Sequence, residues 1–280
     1  MNSYLRPATL QEALEALAES RGAILSGGTD FFPARVDRPI TGAVVDISGV
    51  RELHGMAIGP ERIVIGGRTT WSEIAASSLP RAFDGLKAAA REVGSVQIQN
   101  FGTVAGNLCN ASPAADGVPP LLALDAEVTL ASVSAARTMP LAEFILGNRR
   151  TARRPDEIMT SIAIPRRLEN ASSFFLKLGA RRYLVISIVM VAATLLIDER
   201  GCIAEARVAV GSCSAQARRL IALEKMLIGT AARRGIGDLA AADHIKALAP
   251  IDDVRATAAY RNDAALAMVR RALESCVGAA

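Results

Sequence analysis

Only two histidines, four cysteines and one tryptophan occur among the 280 residues, and aromatic side chains make up 4%. Each shortage closes a route. Cys109, Cys202, Cys213 and Cys276 stand far apart. None forms a C-x-x-C pair or the spacing of an iron–sulfur or zinc site, so metal chemistry is not written into this chain. They read as reduced, mostly buried thiols of a cytoplasmic protein. Nothing joins His54 or His244 to a cysteine, as a thiol hydrolase would need, and both read as surface residues. Charge of one sign is also short: 32 Lys and Arg against 28 Asp and Glu leave +4, too mild a surplus for a nucleic-acid binder. The longest apolar run, Tyr183 to Ile197, has 15 residues and includes Ser187 and Thr194. A bilayer needs about 20, so the run reads as a buried element and no membrane span is expected. The opening MNSYLRPATL has no apolar signal-peptide core.

What is present is 51% hydrophobic and 21% charged, enough for two globular domains. Two stretches stand out, and a lack defines them as well. Ala23-Ile24-Leu25 leads into Ser26-Gly27-Gly28-Thr29-Asp30-Phe31, with no basic residue before Arg35. Thr103-Val104-Ala105-Gly106-Asn107 is a small-residue turn. It opens a segment that continues through Asn110-Ala111-Ser112-Pro113-Ala114-Ala115-Asp116 to the apolar run Leu121–Val128. No Lys or Arg lies between Gly102 and Ala136. Small residues let backbone approach a ligand, and a phosphate held there would rest largely on main-chain N–H groups. Either stretch alone reads first as a tight turn. Together they could face one elongated ligand from two sides. The densest basic cluster, Arg149-Arg150-Thr151-Ala152-Arg153-Arg154, reads as a solvated connector or as a docking patch for an acidic partner surface. No aromatic interleaves it, which disfavours nucleic acid.

Thr9-Leu10-Gln11-Glu12 and Thr70-Trp71-Ser72-Glu73 are capping boxes, each opening a helix. The first helix is expected to stop at Gly22, followed by strands at Ala23–Leu25 and Val44–Ile47 in a small βα layer. Strands are expected at 62–67 and 157–165, and a helix at about 81–93. Trp71 reads as a packing residue. Residues 94–100 read as a lead into the second small-residue turn. Ile188–Ile197 and Ile203–Val210, joined by Asp198-Glu199-Arg200-Gly201, read as an antiparallel hairpin. A final helix is expected from about Arg255 to Val277. The halves divide near Arg166–Ser173. Gly235-Ile236-Gly237-Asp238-Leu239-Ala240 fits a dinucleotide fingerprint by letter but follows Arg233-Arg234 rather than a strand, and is rejected.

Ser26-Gly27-Gly28-Thr29-Asp30 resembles the first flavin loop, Ala-Gly-Gly-x-Ser/Thr-Asp, of the FAD-binding medium subunits of molybdenum hydroxylases. Thr103-Val104-Ala105-Gly106-Asn107 is similar to the family's second loop, Thr-Ile-Gly-Gly-Asn, and the tail through Asp116 and Leu121-Leu122-Ala123-Leu124-Asp125-Ala126 matches its continuation. The family includes the medium subunits of carbon monoxide and bacterial xanthine dehydrogenases. The resemblance implies an α+β fold: a two-subdomain FAD-binding domain of the vanillyl-alcohol-oxidase/PCMH type over 1–168, its subdomains about 1–55 and 56–168. A smaller α+β C-terminal domain with an antiparallel sheet would follow over 169–280. It implies an FAD-dependent oxidoreductase subunit in a heterotrimer with a molybdopterin-containing large subunit and a 2Fe-2S small subunit. Electrons would pass from the iron–sulfur clusters through FAD to an external acceptor.

Carried over by residue, the resemblance places FAD against Ile24, Leu25, Ser26, Gly27, Gly28, Thr29, Asp30 and Phe31, and against Thr103, Val104, Ala105, Gly106 and Asn107. Asp116 matches a cofactor-contacting carboxylate, Lys177 a basic residue near the flavin ring, and Met159 an apolar residue against the cofactor. Tyr183 stands beside the ring face or packs elsewhere. One departure is Ala105, where the family has Gly: if the position needs φ > 0, Ala costs roughly 1 kcal/mol or more. Two other readings stay open: a stand-alone FAD-dependent oxidoreductase of related fold, and a non-enzymatic scaffold subunit with a decayed flavin site. No His lies in either glycine loop, which disfavours a covalently attached flavin.

Overall fold

The computed structural model describes residues 3–36 and 39–278. The N-terminal unit holds strand β1 (Ser3–Leu5), helix α1 (Leu10–Ser20), β2 (Ala23–Leu25) and β3 (Ala43–Asp46). The strands form a parallel sheet ordered β1-β3-β2, covered by Leu14 and Leu17 of α1. Thr9 caps α1 as the pattern requires: its hydroxyl accepts from Glu12 N, and the Glu12 carboxylate accepts from Thr9 N. The helix ends earlier than expected. Arg21, not Gly22, takes the left-handed turn (φ 48°), donating its N–H to Leu17 O. Gly22 answers a different demand, because a Cβ there would stand 2.6 Å from Ala43 O. The close approach of two chain segments consumes the glycine, and an arginine pays the φ cost.

The middle unit follows. Its elements are β4 (Met56–Ile58), β5 (Arg62–Gly66), α2 (Trp71–Ala76), α3 (Asp84–Glu92), α4 (Val96–Phe101), α5 (Val104–Asn110), α6 (Val118–Ala123), β6 (Glu127–Ala131), β7 (Ala136–Pro140), α7 (Leu141–Phe144), β8 (Ile145–Gly147), β9 (Arg150–Thr151) and β10 (Ile158–Pro165). Five of these strands make an antiparallel sheet, β4-β5-β10-β6-β7, with the buried residues of β10 at its centre. Residues 94–100, expected as a lead-in, contain α4, whose N-terminus Ser95 caps through Ile98 N. The expected turn at Thr103 is the start of a helix for the same reason: the Thr103 hydroxyl accepts from Gly106 N. Trp71 is 1% exposed and packs in the core, as read.

The C-terminal unit consists of β11 (Ser172–Leu178), β12 (Val189–Ile197), β13 (Ile203–Gly211), β14 (Arg218–Arg219), α8 (Ile221–Leu227), α9 (Ala242–Ile245) and α10 (Ala258–Gly278). The four strands form one antiparallel sheet in chain order, with α10 packed on it. The β12–β13 hairpin turns at Asp198–Gly201, where Gly201 has φ 75°. The rejected Gly235–Ala240 fingerprint is a 3-10 turn beneath α10, where a Cβ on Gly237 would meet Arg270 O at 2.6 Å. Ala89 of α3 and Ala123 of α6 pack against Phe175, Met190 and Ala192, joining this unit to the middle one. Among the described residues no helix is long and apolar enough to cross a membrane.

Candidate functional site

The first glycine loop leaves the C-terminal end of β2, and Ile47, just past β3, lies beside it. Ends of parallel strands are where open sheets leave room for ligands, since the chain must turn away there. The second loop arrives from the middle unit. The two meet: Ser26 Oγ stands 3.4 Å from Thr103 Oγ1, and Asn110 Nδ2 donates to Asp30 Oδ2 at 3.1 Å. Gly27 makes the meeting possible. A Cβ there would fall 1.8 Å from Phe101 O, at the end of α4, so no other residue fits without parting the loops. Gly28 has φ 73°, the left-handed region that glycine enters at little cost.

Between the loops lies a cavity of about 650 Å³. It is lined by Ile24, by the whole of Ser26 to Phe31, and by Thr103, Ala105, Gly106, Asn107 and Met159. The remaining sequence-predicted residues are elsewhere. Leu25 and Val104 point into the core. Asp116 and Lys177 are buried against each other: Lys177 Nζ donates to Asp116 Oδ2 at 2.7 Å and to Glu92 O at 3.0 Å, and Ser187 Oγ donates to Asp116 Oδ1 at 2.5 Å. They sit just behind the cavity wall, because Glu92 precedes the lining residue Val93. Burial pushes the Asp116 carboxyl up, and the Lys177 ammonium and Ser187 hydroxyl oppose it. The Lys177 charge is thus paired with a buried carboxylate. Tyr183 is 60% exposed on the 179–188 loop, its hydroxyl accepting from Arg182 Nε at 2.9 Å, and it does not border the cavity.

The departure at Ala105 is settled by its backbone. Ala105 lies in the first turn of α5 and is not among the residues with positive φ, so the methyl costs no strain. Gly106 is exposed on the cavity side, and a Cβ there would reach Thr103 Oγ1 at 2.8 Å.

Among the lining residues that sequence reasoning did not assign are three arginines: Arg35, Arg149 and Arg153. The basic cluster was legible, but not its destination. The one local signal was Gly147-Asn148, a hairpin-turn pair just before it. Arg35 stacks on the Phe31 ring, 3.9 Å from the centroid. Arg149 Nη1 donates to Asn110 Oδ1 at 2.5 Å. Cys109, on α5, also borders the cavity; burial pushes its thiol up to about 11, against the pull of Arg153, which leaves it unreactive at neutral pH. The histidines serve as local ties: His54 Nε2 lies 2.6 Å from Glu73 Oε1, and His244 Nδ1 accepts from Ala241 N.

The site fits a large, polyhydroxylated anion. Its volume lies in the range of cofactor pockets. Asn107 lines it, with its side-chain oxygen buried on the Gly117 side and without a hydrogen-bond partner. Small residues and hydroxyls of both loops line it, together with Arg35, Arg149 and Arg153.

Comparison with known proteins agrees. Residues 1–167 match the family described as FAD binding domain in molybdopterin dehydrogenase, and residues 174–276 match the CO dehydrogenase flavoprotein C-terminal domain. The chain is 35% identical over 234 residues to the nicotinate dehydrogenase FAD-subunit of Eubacterium barkeri, covering 81% of this chain and 79% of that protein. It is 30% identical to subunit alpha of the 6-hydroxypseudooxynicotine dehydrogenase complex of Paenarthrobacter nicotinovorans, over 96% of this chain and 92% of the other. The fold superposes on a chain of carbon monoxide dehydrogenase from Hydrogenophaga pseudoflava with TM-score 0.90 and 27% identity, covering 99% of this chain and 97% of that one.

Proposed function

Because the chain belongs to the family of FAD-binding domains in molybdopterin dehydrogenases, and is an FAD-binding oxidoreductase subunit of that family, we propose that it is the electron-transfer subunit of a cytoplasmic molybdenum hydroxylase complex. Its partners are a molybdopterin-containing large subunit and a 2Fe-2S small subunit, and electrons leave to an external acceptor. The FAD-binding domain spans 1–168, with subdomains meeting at about residue 55, and the C-terminal domain spans 169–280. The observation that carries the reading is the convergence of two glycine loops, far apart in sequence, on one cavity, with Ser26 and Thr103 hydroxyls 3.4 Å apart.

FAD supplies, when bound, a redox centre able to join one-electron donors to a two-electron acceptor. The protein's part is holding and orientation. Ser26, Thr29, Thr103 and Asn107 offer hydroxyl and amide groups to phosphate and sugar oxygens. Gly27, Gly28 and Gly106 keep the backbone close, with Met159 as the apolar floor. Asp116 and Lys177, bonded to each other and to Ser187 and Glu92, brace the wall behind Val93.

The purified protein is expected to be yellow and to release FAD on denaturation. Gly27→Val puts side-chain atoms into Phe101 O, and Gly28→Val forces a β-branched residue to φ 73°. Each is expected to weaken FAD binding by a hundredfold or more, about 3 kcal/mol, while circular dichroism remains native. A fully yellow Gly27→Val protein, or a colourless wild type that refuses added FAD, would reject the assignment.

A further inference from the structure

The two glycine loops bring no cation of their own, yet the cavity they enclose is positively charged. Arg35, Arg149 and Arg153 line it against one carboxylate, Asp30. Asp30 accepts from Asn110 rather than from any arginine, and among the described residues none of the three arginines forms an ion pair. Two positive charges are left unbalanced in a cleft, where low-dielectric walls concentrate their field.

Their placement is built, not incidental. Arg149 lies at the tip of the β8–β9 hairpin with φ 52°, and its N–H donates to Ala111 O at 2.8 Å. Ala111, which ends α5, is itself left-handed at φ 46°. Non-glycine residues avoid this region, and such strain persists where the surroundings enforce it, often beside ligands. With the hairpin latched to the end of α5, Arg149 donates to Asn110, which in turn donates to Asp30 of the first loop. Arg153 is fixed differently. Its Nη1 donates to the carbonyls of Arg154 and Glu157 at 2.9 and 2.8 Å and lies 3.5 Å from that of Pro155, and its other guanidinium nitrogens take no partner among the described residues. The Glu157 carboxylate is clamped by Arg137 at 2.6 and 2.9 Å, so this platform is itself anchored.

We propose that Arg149 and Arg153 form a third, cationic wall of the cofactor site, which neutralises the diphosphate of FAD and closes across the two glycine loops. This rests on the reading that FAD lies between those loops. A diphosphate carries the charge that the lining lacks, and the guanidinium fork matches phosphate oxygens in geometry. The glycine loops then select for shape and the arginine wall for charge, so a dinucleotide is favoured over its uncharged flavin fragment.

The test uses full-length apoprotein, titrated separately with FAD and with riboflavin by flavin fluorescence at about 0.05 M and about 0.5 M salt. Arg149→Gly removes the guanidinium but suits φ 52°, and Arg153→Gln removes the second charge. Each is expected to bind FAD about tenfold or more weakly, with a flatter salt dependence and unchanged riboflavin affinity. Arg149→Gly should keep or raise the melting temperature of the apoprotein, which separates lost binding from lost folding. Variants that match the wild type in FAD affinity and salt dependence would overturn the proposal while leaving the loop assignment intact. A wild type that takes up no FAD overturns both. Loss of riboflavin binding in step with FAD would make the arginines structural and would also overturn it.

Discussion

Among the described residues, two cavities lined by arginines are built on opposite electrostatic plans. Around the first, three guanidinium groups face one carboxylate. Around the second, about 420 Å³ where the middle and C-terminal units meet, every arginine is answered. Arg62 pairs with Glu127, Arg167 with both Asp125 and Glu205, and Arg219 with Asp125 and, in a fork at 2.6 and 2.8 Å, with Glu224. Arg207 stands just behind, 3.0 Å from Asp125 and 2.8 Å from Glu205. Asp125 collects three guanidiniums while held at φ 51°. An arginine already met by carboxylates is part of the scaffold; one left uncommitted in a cleft is available to an anion. The same residue type therefore fastens two units together in one place and faces a ligand in the other.

That contrast can be tested, beyond the glycine substitutions that should abolish the first cavity's function. Asp125→Asn keeps the side-chain shape and tolerance of φ 51° but strips the shared counter-charge from Arg167, Arg207 and Arg219. It should cost about 1–3 kcal/mol of stability, discounted from a fully buried network because these groups are partly exposed. Denaturant unfolding measures this, and FAD affinity should not change; a loss of affinity matching an arginine-wall variant would erase the distinction between the two cavities.

Glu157→Gln should act on both stability and binding, at about 1–2 kcal/mol, because it undoes the clamp beneath Arg153. Its pH dependence has a definite sign. The hydrogen bond from Arg137 holds the Glu157 carboxyl below its ordinary value, although burial opposes this. The stability this contributes is complete above the ordinary carboxylate range, about pH 4.3, and is lost as pH falls through the lower folded value. Acid titration of the wild type should show that loss, and the Gln variant a shallower one. The smallest expected effect is that of pyrophosphate on the apoprotein. It should raise the melting temperature by about a degree or two, as any ligand of the native state does. That rise should vanish in an Arg149→Gly/Arg153→Gln double variant and persist in Asp125→Asn.

Much of the local architecture was legible in the chain. Both capping boxes form because donor and acceptor lie three residues apart, so sequence spacing is already spatial spacing. The Asp198–Gly201 hairpin and the glycine loops are legible for the same reason. Where the reading missed, a distant segment had intervened. Gly22 yields the helix-ending turn to Arg21 because β3 presses on it. The bond from Lys177 to Asp116, across 61 positions, likewise lies beyond any local pattern.

The sequence by itself determined most of the elements, the two small-residue stretches and, through them, the resemblance to flavin-binding subunits, since each depends on neighbours within a few bonds. Only the tertiary structure decided that Gly27 would rest on the Phe101 carbonyl, that Arg149 would dock on the end of α5, and that one arginine group would be neutralised and the other left open. Coulombic and steric terms act through distance in space, and a linear pattern carries no such distances until the chain has folded.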